Sequence, residues 1–260
     1  MPRKKHYGRC RICGVHKKLS FEHVPPEAAF NDKPIVRTTI EELERADLDY
    51  REVKGSRQQR GRGAYTLCDK CNSDTGHWYG QAFAEWAAQS LHVLHLRLDS
   101  PQIYLPFFIF PLRVLKQVLC MFASQADGLA YRSHPSLRRF LLDPHNTDFD
   151  TDLRVFMYLN VGRLFRSLGV AAVRDLKRHE THLMSETNFP PFGYVLTIRS
   201  PPPDQRLVEI THFACYSYKD WRDVWLRIPF LPVNTWVPGT LVQNRSELKT
   251  LLWPAPAGGR

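Results

Sequence analysis

The chain has no apolar run long enough to cross a bilayer as a helix. Its longest mostly apolar stretch, Tyr104 to Leu112, is YLPFFIFPL, whereas a span needs about 20 residues. The basic start MPRKKHYGRC is followed by no apolar signal core, so a soluble, unexported, cytoplasmic protein is expected. Internal repeats and low-complexity tracts are absent apart from the Pro-rich ends PPPD and PAPAGGR. Acidic residues are in short supply: 26 Asp and Glu face 36 Lys and Arg, a formal charge of +10. Such an excess is the footprint of a polyanion partner, with nucleic acid first. At 260 residues the chain is too long for a disulfide miniprotein, and it is long enough for one large domain or two small ones.

What is present is a globular composition, 43% hydrophobic and 24% charged. The charge is even between the two parts of the chain but uneven within the first. Residues 1–21 carry seven Lys or Arg and no acid. Over residues 51–70, Arg51, Lys54, Arg57, Arg60, Arg62 and Lys70 face only Glu52 and Asp69. Four of the six cysteines form two Cys-x-x-Cys pairs, Cys10 with Cys13 and Cys68 with Cys71. Two residues between thiolates let a tight knuckle present both sulfurs to one ion, and two knuckles complete a tetrahedral zinc site. Disulfides fit poorly in an unexported chain, and a redox pair needs one such motif in a βαβ setting rather than two. Cys120 and Cys215 read as buried core cysteines.

Along the chain, KKLSFEHVPP reads as a strand running to His23 and stopped by Pro25 and Pro26. Thr38 and Thr39 before EELERAD form a capping pattern for a short helix, and KGSRQQRGRG reads as a loop. AYTLC is a second strand. From Asn72 the spacing of Trp78, Phe83, Trp86, Ala87, Leu91 and Leu94 predicts a helix, weakened in its first turns by Gly76 and Gly80. Beyond Asp99, Pro111 to Phe122 predicts an amphipathic helix ended by Gly128, and SLRRFLLDP a shorter one. DLRVFMYLNV, PFGYVLTIRS, RLVEITHFACY and DVWLRIPFLPV read as strands. The expected fold class is α+β: residues 1–98 form a zinc-bearing domain with an insertion at about 32–63, and residues 99–260 a second unit with a mainly antiparallel sheet.

Between the knuckles lies Phe21-Glu22-His23-Val24-Pro25, and Asn72 directly follows the last cysteine of the second pair. A zinc joining the knuckles brings the end of the first strand against the start of the helix, so that Glu22, His23 and Asn72 converge. A carboxylate and an amide oxygen suit a hard divalent ion, and an imidazole can take a proton from an attacking water at neutral pH. These residue types suit phosphodiester hydrolysis. With Cys10-x-x-Cys13, Glu22-His23-Val24-x-Pro26 and Cys68-x-x-Cys71-Asn72 in this order, the sequence resembles the zinc-bearing form of the His-Asn-His (HNH) endonuclease superfamily.

The resemblance implies a ββα-metal core in which Glu22 and Asn72 hold a catalytic Mg²⁺ or Mn²⁺, His23 is the general base, and the four cysteines hold structural Zn²⁺. Glu22 stands where many members carry Asp, and the gap from His23 to Cys68 is longer than the compact motif. For the family's middle Asn, which orients the base, Asn31 is the Asn candidate, with Gln58 and Gln59 as substitutes. Arg57, Arg60, Arg62 and Lys70 are expected to hold flanking phosphates, on a flexible loop whose end is fixed near Cys68. His77 reads as a surface imidazole. His179-Glu180-Thr181-His182 lacks zinc-protease spacing and reads as a solvated turn. Arg163, Arg166, Arg174, Lys177 and Arg178 read as a second backbone contact or as ordinary surface. Such nucleases serve mobile elements and prokaryotic defence. The rival reading is a non-catalytic, zinc-stabilised nucleic-acid-binding protein, and residues 99–260 are the expected place for a protein partner or a homodimer contact.

Overall fold

The structure, a computed structural model, describes residues 5–39, 42, 45, 55–96, 100–125, 134–150, 152–161, 164–175, 179–232 and 240–243. In the first part, strands β1 (His6–Arg9), β2 (His16–His23) and β5 (Gly63–Cys68) form a three-stranded antiparallel sheet in the order β1-β2-β5. The helix that follows begins at Asp69, directly after the last residue of β5. It runs as α1 (Asp69–Thr75), a π-helical turn (Gly76–Gly80) and α2 (Gln81–His95), with helical dihedrals at each junction. Gly76 and Gly80 therefore bound a wide turn inside one helix rather than fraying its start.

The second sheet has ten strands. β3 (Ile35–Thr39), β4 (Ser56–Gln58), β6 (Gln102–Ile109), β7 (Leu153–Asn160), β8 (Leu164–Asp175), β9 (Glu180–Phe189), β10 (Phe192–Ile198), β12 (Arg222–Leu231) and β13 (Thr240–Gln243) follow the order β4-β3-β13-β8-β9-β10-β7-β12-β6, and β11 (Val208–Glu209) pairs with β7. Every pairing is antiparallel except the short contact of β12 with β7. The fold is thus α+β with mostly antiparallel sheets, as the sequence predicts.

Helix α3 (Pro111–Gln125) packs on the large sheet, and α4 (Pro135–Leu142) packs on α3 and α1. Pro111, Leu112, Val114, Leu115, Val118, Leu119 and Phe122 of α3 are all buried, because the helix lies between the first sheet's long helix and the large sheet. Trp86 of α2 packs among Phe107, Phe192, Tyr194 and Phe213. One hydrophobic core therefore runs from Cys10 and Leu67 through Trp86 to Leu159 and Ile228. The segment expected as an insertion contributes β3 and β4 to the large sheet, where β3 pairs with β13. Residues 1–98 and 99–260 accordingly share both a sheet and a core.

Several local expectations are corrected. RLVEITHFACY is a strand only at Val208–Glu209, then a 3₁₀ turn from Thr211 to Cys215, and the thiol of Cys215 is exposed rather than core. His179 to His182 is not a solvated turn: Glu180 opens β9, and His182 is buried with its Nδ1 at 3.1 Å from the Pro201 carbonyl. Most of the expected helix in EELERAD, and Gly128, lie outside the described residues. No described helix is long and apolar enough to cross a membrane.

Candidate functional site

The sequence builds the cysteine site by two tight turns. Gly14 adopts a left-handed conformation (φ 75°), which a glycine takes without strain, and this turns the chain back after Cys13. The Gly14 amide donates to the Cys10 carbonyl at 2.8 Å, the Cys10 amide to the Val15 carbonyl at 3.0 Å, and the Arg11 amide to the Thr66 carbonyl of β5 at 3.0 Å. The second pair straddles the end of β5 and the first helical turn, which points Cys68 and Cys71 at the first pair. The four Sγ atoms lie within 4.8 Å of one another, with Cys13 and Cys68 at 3.9 Å. A zinc with Zn–S bonds of ~2.3 Å needs sulfurs roughly 3.8 Å apart. None of the six cysteines is in a disulfide. Hydrogen bonding from Cys71 pulls the Cys10 thiol down to about 4, and the same bond together with burial pushes Cys71 up. Four close cysteines of this kind can hold a structural metal such as zinc.

The cysteine site fastens the helix start to β2. The Asn72 amide nitrogen donates to Ser20 Oγ at 3.0 Å and to the Phe21 carbonyl at 3.1 Å, beside Glu22. Among the described residues its Oδ1 makes no hydrogen bond. Glu22 is 7% exposed and faces the helical layer, where burial first and the Glu22 charge second push up the Cys120 thiol of α3. Its carboxylate accepts no hydrogen bond, and burial raises its pKa to about 8. Among the described residues the Glu22 carboxylate and Asn72 Oδ1 are both without a hydrogen bond, and Asn72 is bonded to the residue that precedes Glu22.

His23 is turned the other way. Successive residues on a strand point to opposite faces. The His23 ring stands edge-on to Phe21, two residues earlier, at 5.0 Å. Burial lowers the His23 pKa, opposed by Glu27 and by a hydrogen bond to the main chain of Arg60. His23 is also the last residue of β2, so its ring lies where the strand ends.

The loop that holds His23 is itself held by Asn31. Asn31 is buried, its Nδ2 donates to the Pro25 and Arg62 carbonyls, each at 2.7 Å, and its Oδ1 accepts from the Arg62 amide at 2.7 Å. Gly61, at φ 71°, leaves no room for a side chain: a Cβ there would lie 2.1 Å from the Asn31 carbonyl. Of the three candidates for an orienting residue, Asn31 is the one bonded to the segment that touches His23.

The basic residues divide. Arg57 is exposed on β4, and Arg60 stacks its guanidinium over the Phe21 ring at 4.5 Å. Arg62 is not an exposed loop residue as expected. It is 6% exposed, and its guanidinium donates to the Asn188 carbonyl at 2.8 Å, Ser167 Oγ at 2.7 Å and Thr187 Oγ1 at 3.3 Å. Lys70 is exposed but paired with Asp74 at 2.7 Å on the same helix face. His77 is exposed. Arg166 is not surface: it is buried in an ion pair with Glu186. Arg174 lies on β8, while Arg163, Lys177 and Arg178 lie outside the described residues. A further cluster of His134, Asp150 and Asp152 has its carboxylates engaged by His134, Ser136 and Arg199, which fastens a loop.

Comparison with protein-family models, with curated proteins and with solved structures returns no match for this chain. What the chain does must therefore be read from its own residues.

Proposed function

We propose that the chain is a metal-dependent, HNH-type endonuclease that hydrolyses nucleic-acid phosphodiesters, DNA first, on a ββα-metal core made by β2, β5 and α1. The observation that carries this reading is the bond from Asn72 to the Phe21 carbonyl. It sets the first turn of the helix against the end of β2, beside a buried carboxylate that has no hydrogen-bond partner. The Glu22 carboxylate and Asn72 Oδ1 are the hard oxygen donors that Mg²⁺ or Mn²⁺ takes, and neither has a hydrogen-bond partner among the described residues. An ion bound there supplies Lewis-acid stabilisation of charge on the phosphate and the leaving oxygen.

The chain's own residues do the rest. His23, at the end of β2, accepts a proton from the water whose oxygen attacks phosphorus, as the bond to the leaving oxygen breaks. Because Glu22 and His23 face opposite sides of β2, the reading requires the phosphate at the strand's end, from which both sides are reached. Arg57 and Arg60 supply positive charge to the neighbouring backbone. The non-catalytic nucleic-acid-binding alternative is favoured by one observation, that Glu22 at a pKa of about 8 is protonated at pH 7 when no ion is bound.

The deciding experiment is incubation of the zinc-loaded protein with supercoiled DNA, single-stranded DNA and RNA, with Mg²⁺, Mn²⁺ or EDTA. Cleavage that needs the ion and falls by roughly 100- to 10,000-fold in His23→Ala, at near-unchanged affinity, is the expected result. Binding with no ion-dependent cleavage of any of the three makes the non-catalytic reading correct.

A further inference from the structure

The longest apolar run of the sequence is laid along an edge of the large sheet. Among the described residues β6 is the end strand of that sheet, paired with β12. Ile103, Phe107 and Ile109 of β6 and Val224, Leu226 and Ile228 of β12 enter the core. Strand alternation sends Tyr104, Phe108 and Trp225 to the opposite face, and Trp221 stands just before β12. These rings are between 47% and 58% exposed.

The rings stand in pairs. Tyr104 and Trp225 have centroids 5.2 Å apart, and Phe108 and Trp221 stack at 5.5 Å. Tyr104 and Phe108 are four residues apart on one strand, which sets the pairs roughly 13 Å apart. Arg227 lies directly across from Tyr104, its guanidinium 5.6 Å from the ring centroid. Exposed Lys219 and Arg222 flank Trp221 at the other end. Two acids belong to the same segment: Asp223 is opposite Phe108, and Asp220 accepts the Ser217 amide at 2.8 Å. Positive charge thus brackets the rings at both ends. A cleft of about 530 Å³ adjoins the Tyr104 end, walled by Gln102, Gln205 and Arg227, and by Arg206 in its ion pair with Asp204.

The main chain of β6, by contrast, is closed to a further strand. An antiparallel edge strand turns the main-chain groups of alternate residues outward, here Gln102, Tyr104, Pro106 and Phe108. The Phe108 amide donates to Gln89 Oε1 at 3.0 Å, and Gln89 Nε2 of α2 donates to the Phe108 carbonyl at 2.8 Å. Ser100 Oγ donates to the Gln102 carbonyl at 2.6 Å and accepts from the Gln102 amide at 3.4 Å. Pro106 has no amide hydrogen. Sheet extension by a second copy is therefore blocked along most of this edge, and what remains open is the aromatic face.

We propose that the outer face of β6 and β12 is a stacking platform for single-stranded nucleic acid. A contiguous exposed aromatic patch marks a binding surface, and each ring pair offers a π-face to an unpaired base, whatever its identity. Arg227 at one end, and Lys219 with Arg222 at the other, meet phosphates on either side of Asp223. The Gln102 and Gln205 amides in the adjoining cleft supply hydrogen bonds to a base or sugar that passes Tyr104. Bases inside a duplex stack on one another and leave no face for these rings. The chain's charge of +10 favours a polyanion over a neutral apolar partner. The inference goes beyond the nuclease reading, uses none of its residues, and stands whether or not the protein cleaves.

Fluorescence anisotropy on the full-length, zinc-loaded protein without Mg²⁺ or Mn²⁺ tests it with oligothymidine, oligouridine, an abasic oligomer of the same length, and a duplex. Both single strands should bind more tightly than the abasic oligomer. Tyr104→Ala and Trp225→Ala should each weaken single-strand binding by roughly 5- to 150-fold, the cost of one lost base stack. Trp225→Phe keeps a ring and should recover most of the affinity. Duplex affinity should stay near the parent's in all three. These side chains are exposed, and an unchanged Tm checks that the variants fold. His23→Ala should bind the single strands as the parent does, so failure of the nuclease reading leaves this result standing. Unchanged single-strand affinity in both alanine variants, equal weakening of duplex and single strand, or equal binding of the abasic oligomer overturns the proposal. A dimer in sedimentation that Trp225→Ala dissociates, with single-strand affinity unchanged, assigns the rings to a second copy instead.

Discussion

Asn31 and Arg62 are joined by two side-chain to main-chain hydrogen bonds, each 2.7 Å long, one in each direction. The amide of Asn31 thus does for the 60–62 loop what a paired strand would do. The same loop carries Arg60, whose main chain lies near enough to His23 to raise its pKa. Asn31→Ala leaves the Arg62 amide and the Pro25 and Arg62 carbonyls without these partners in a buried place, at a cost of about 1–3 kcal/mol for each unsatisfied group. Chemical denaturation should register a loss of stability. Asn31→Asp keeps the acceptor for the Arg62 amide but not the two donations, and should fall between the parent and Asn31→Ala. If Asn31 positions the base, Asn31→Asp should lower kcat more than it raises KM. An equal change in both, or none, assigns it to stability alone.

The cysteine site predicts one zinc per chain on Cys10, Cys13, Cys68 and Cys71. Because bound structural zinc contributes folding free energy directly, Cys68→Ser or a strong chelator should unfold the β1-β2-β5 sheet and loosen the helix start. Cys215 is exposed and apart from this site, so Cys215→Ser should leave the zinc content unchanged. Elemental analysis of the native protein and of both variants checks all three statements.

The strand at β2, the helix after Cys71 and the four cysteines were legible because their signals are local: alternation stopped by proline, and thiols at fixed spacing. What was not legible depended on partners far along the chain. Arg62 sits among Gly and Arg residues that read as a solvated loop, yet its acceptors lie at Ser167, Thr187 and Asn188, more than 100 residues away. β9 has the sequence ETHLMSETNF, with polar residues on both faces. It is buried because Glu186 finds Arg166 and Tyr158, and Asn188 finds Asn160. In RLVEITHFACY the strand reading fails after Glu209, since Thr211 Oγ1 accepts the Val155 amide at 2.9 Å and the chain turns into a 3₁₀ helix. The convergence of Asn72 with β2 is readable from the knuckles, whereas strand alternation sets Glu22 and His23 on opposite faces of β2, against the convergence of all three.

With Arg62 buried and Lys70 paired to Asp74, Arg57 and Arg60 are the described members of the basic segment left to meet a nucleic-acid backbone, Arg51 and Lys54 lying outside the described residues. Neutralising both to Ala should reduce the slope of log affinity against log salt by up to ~1.8 for duplex DNA, at about 0.9 per phosphate contact. Fluorescence anisotropy at several salt concentrations measures it. An unchanged slope removes this segment from the interface.

Glu22 sets the last expectation, because it links pH, ion binding and stability. Its folded pKa, raised to about 8 by burial, lies above the ordinary glutamate value of 4.5. A raised folded pKa means that the folded state holds a proton that the unfolded state has released between these two values. Stability should therefore fall as pH rises from about 4.5 to about 8, by on the order of 3–5 kcal/mol from this group in the ion-free protein. Glu22→Gln carries no titrating proton, so it should flatten this part of the stability profile and stabilise the ion-free protein at pH 8. The same variant lacks the anionic oxygen that a divalent ion takes. Mn²⁺ should raise the parent's Tm at pH 8 and leave that of Glu22→Gln where it is. Equal Tm shifts in the two proteins would move the ion away from Glu22. A parent profile as flat as the variant's would mean that the carboxylate is not buried in solution.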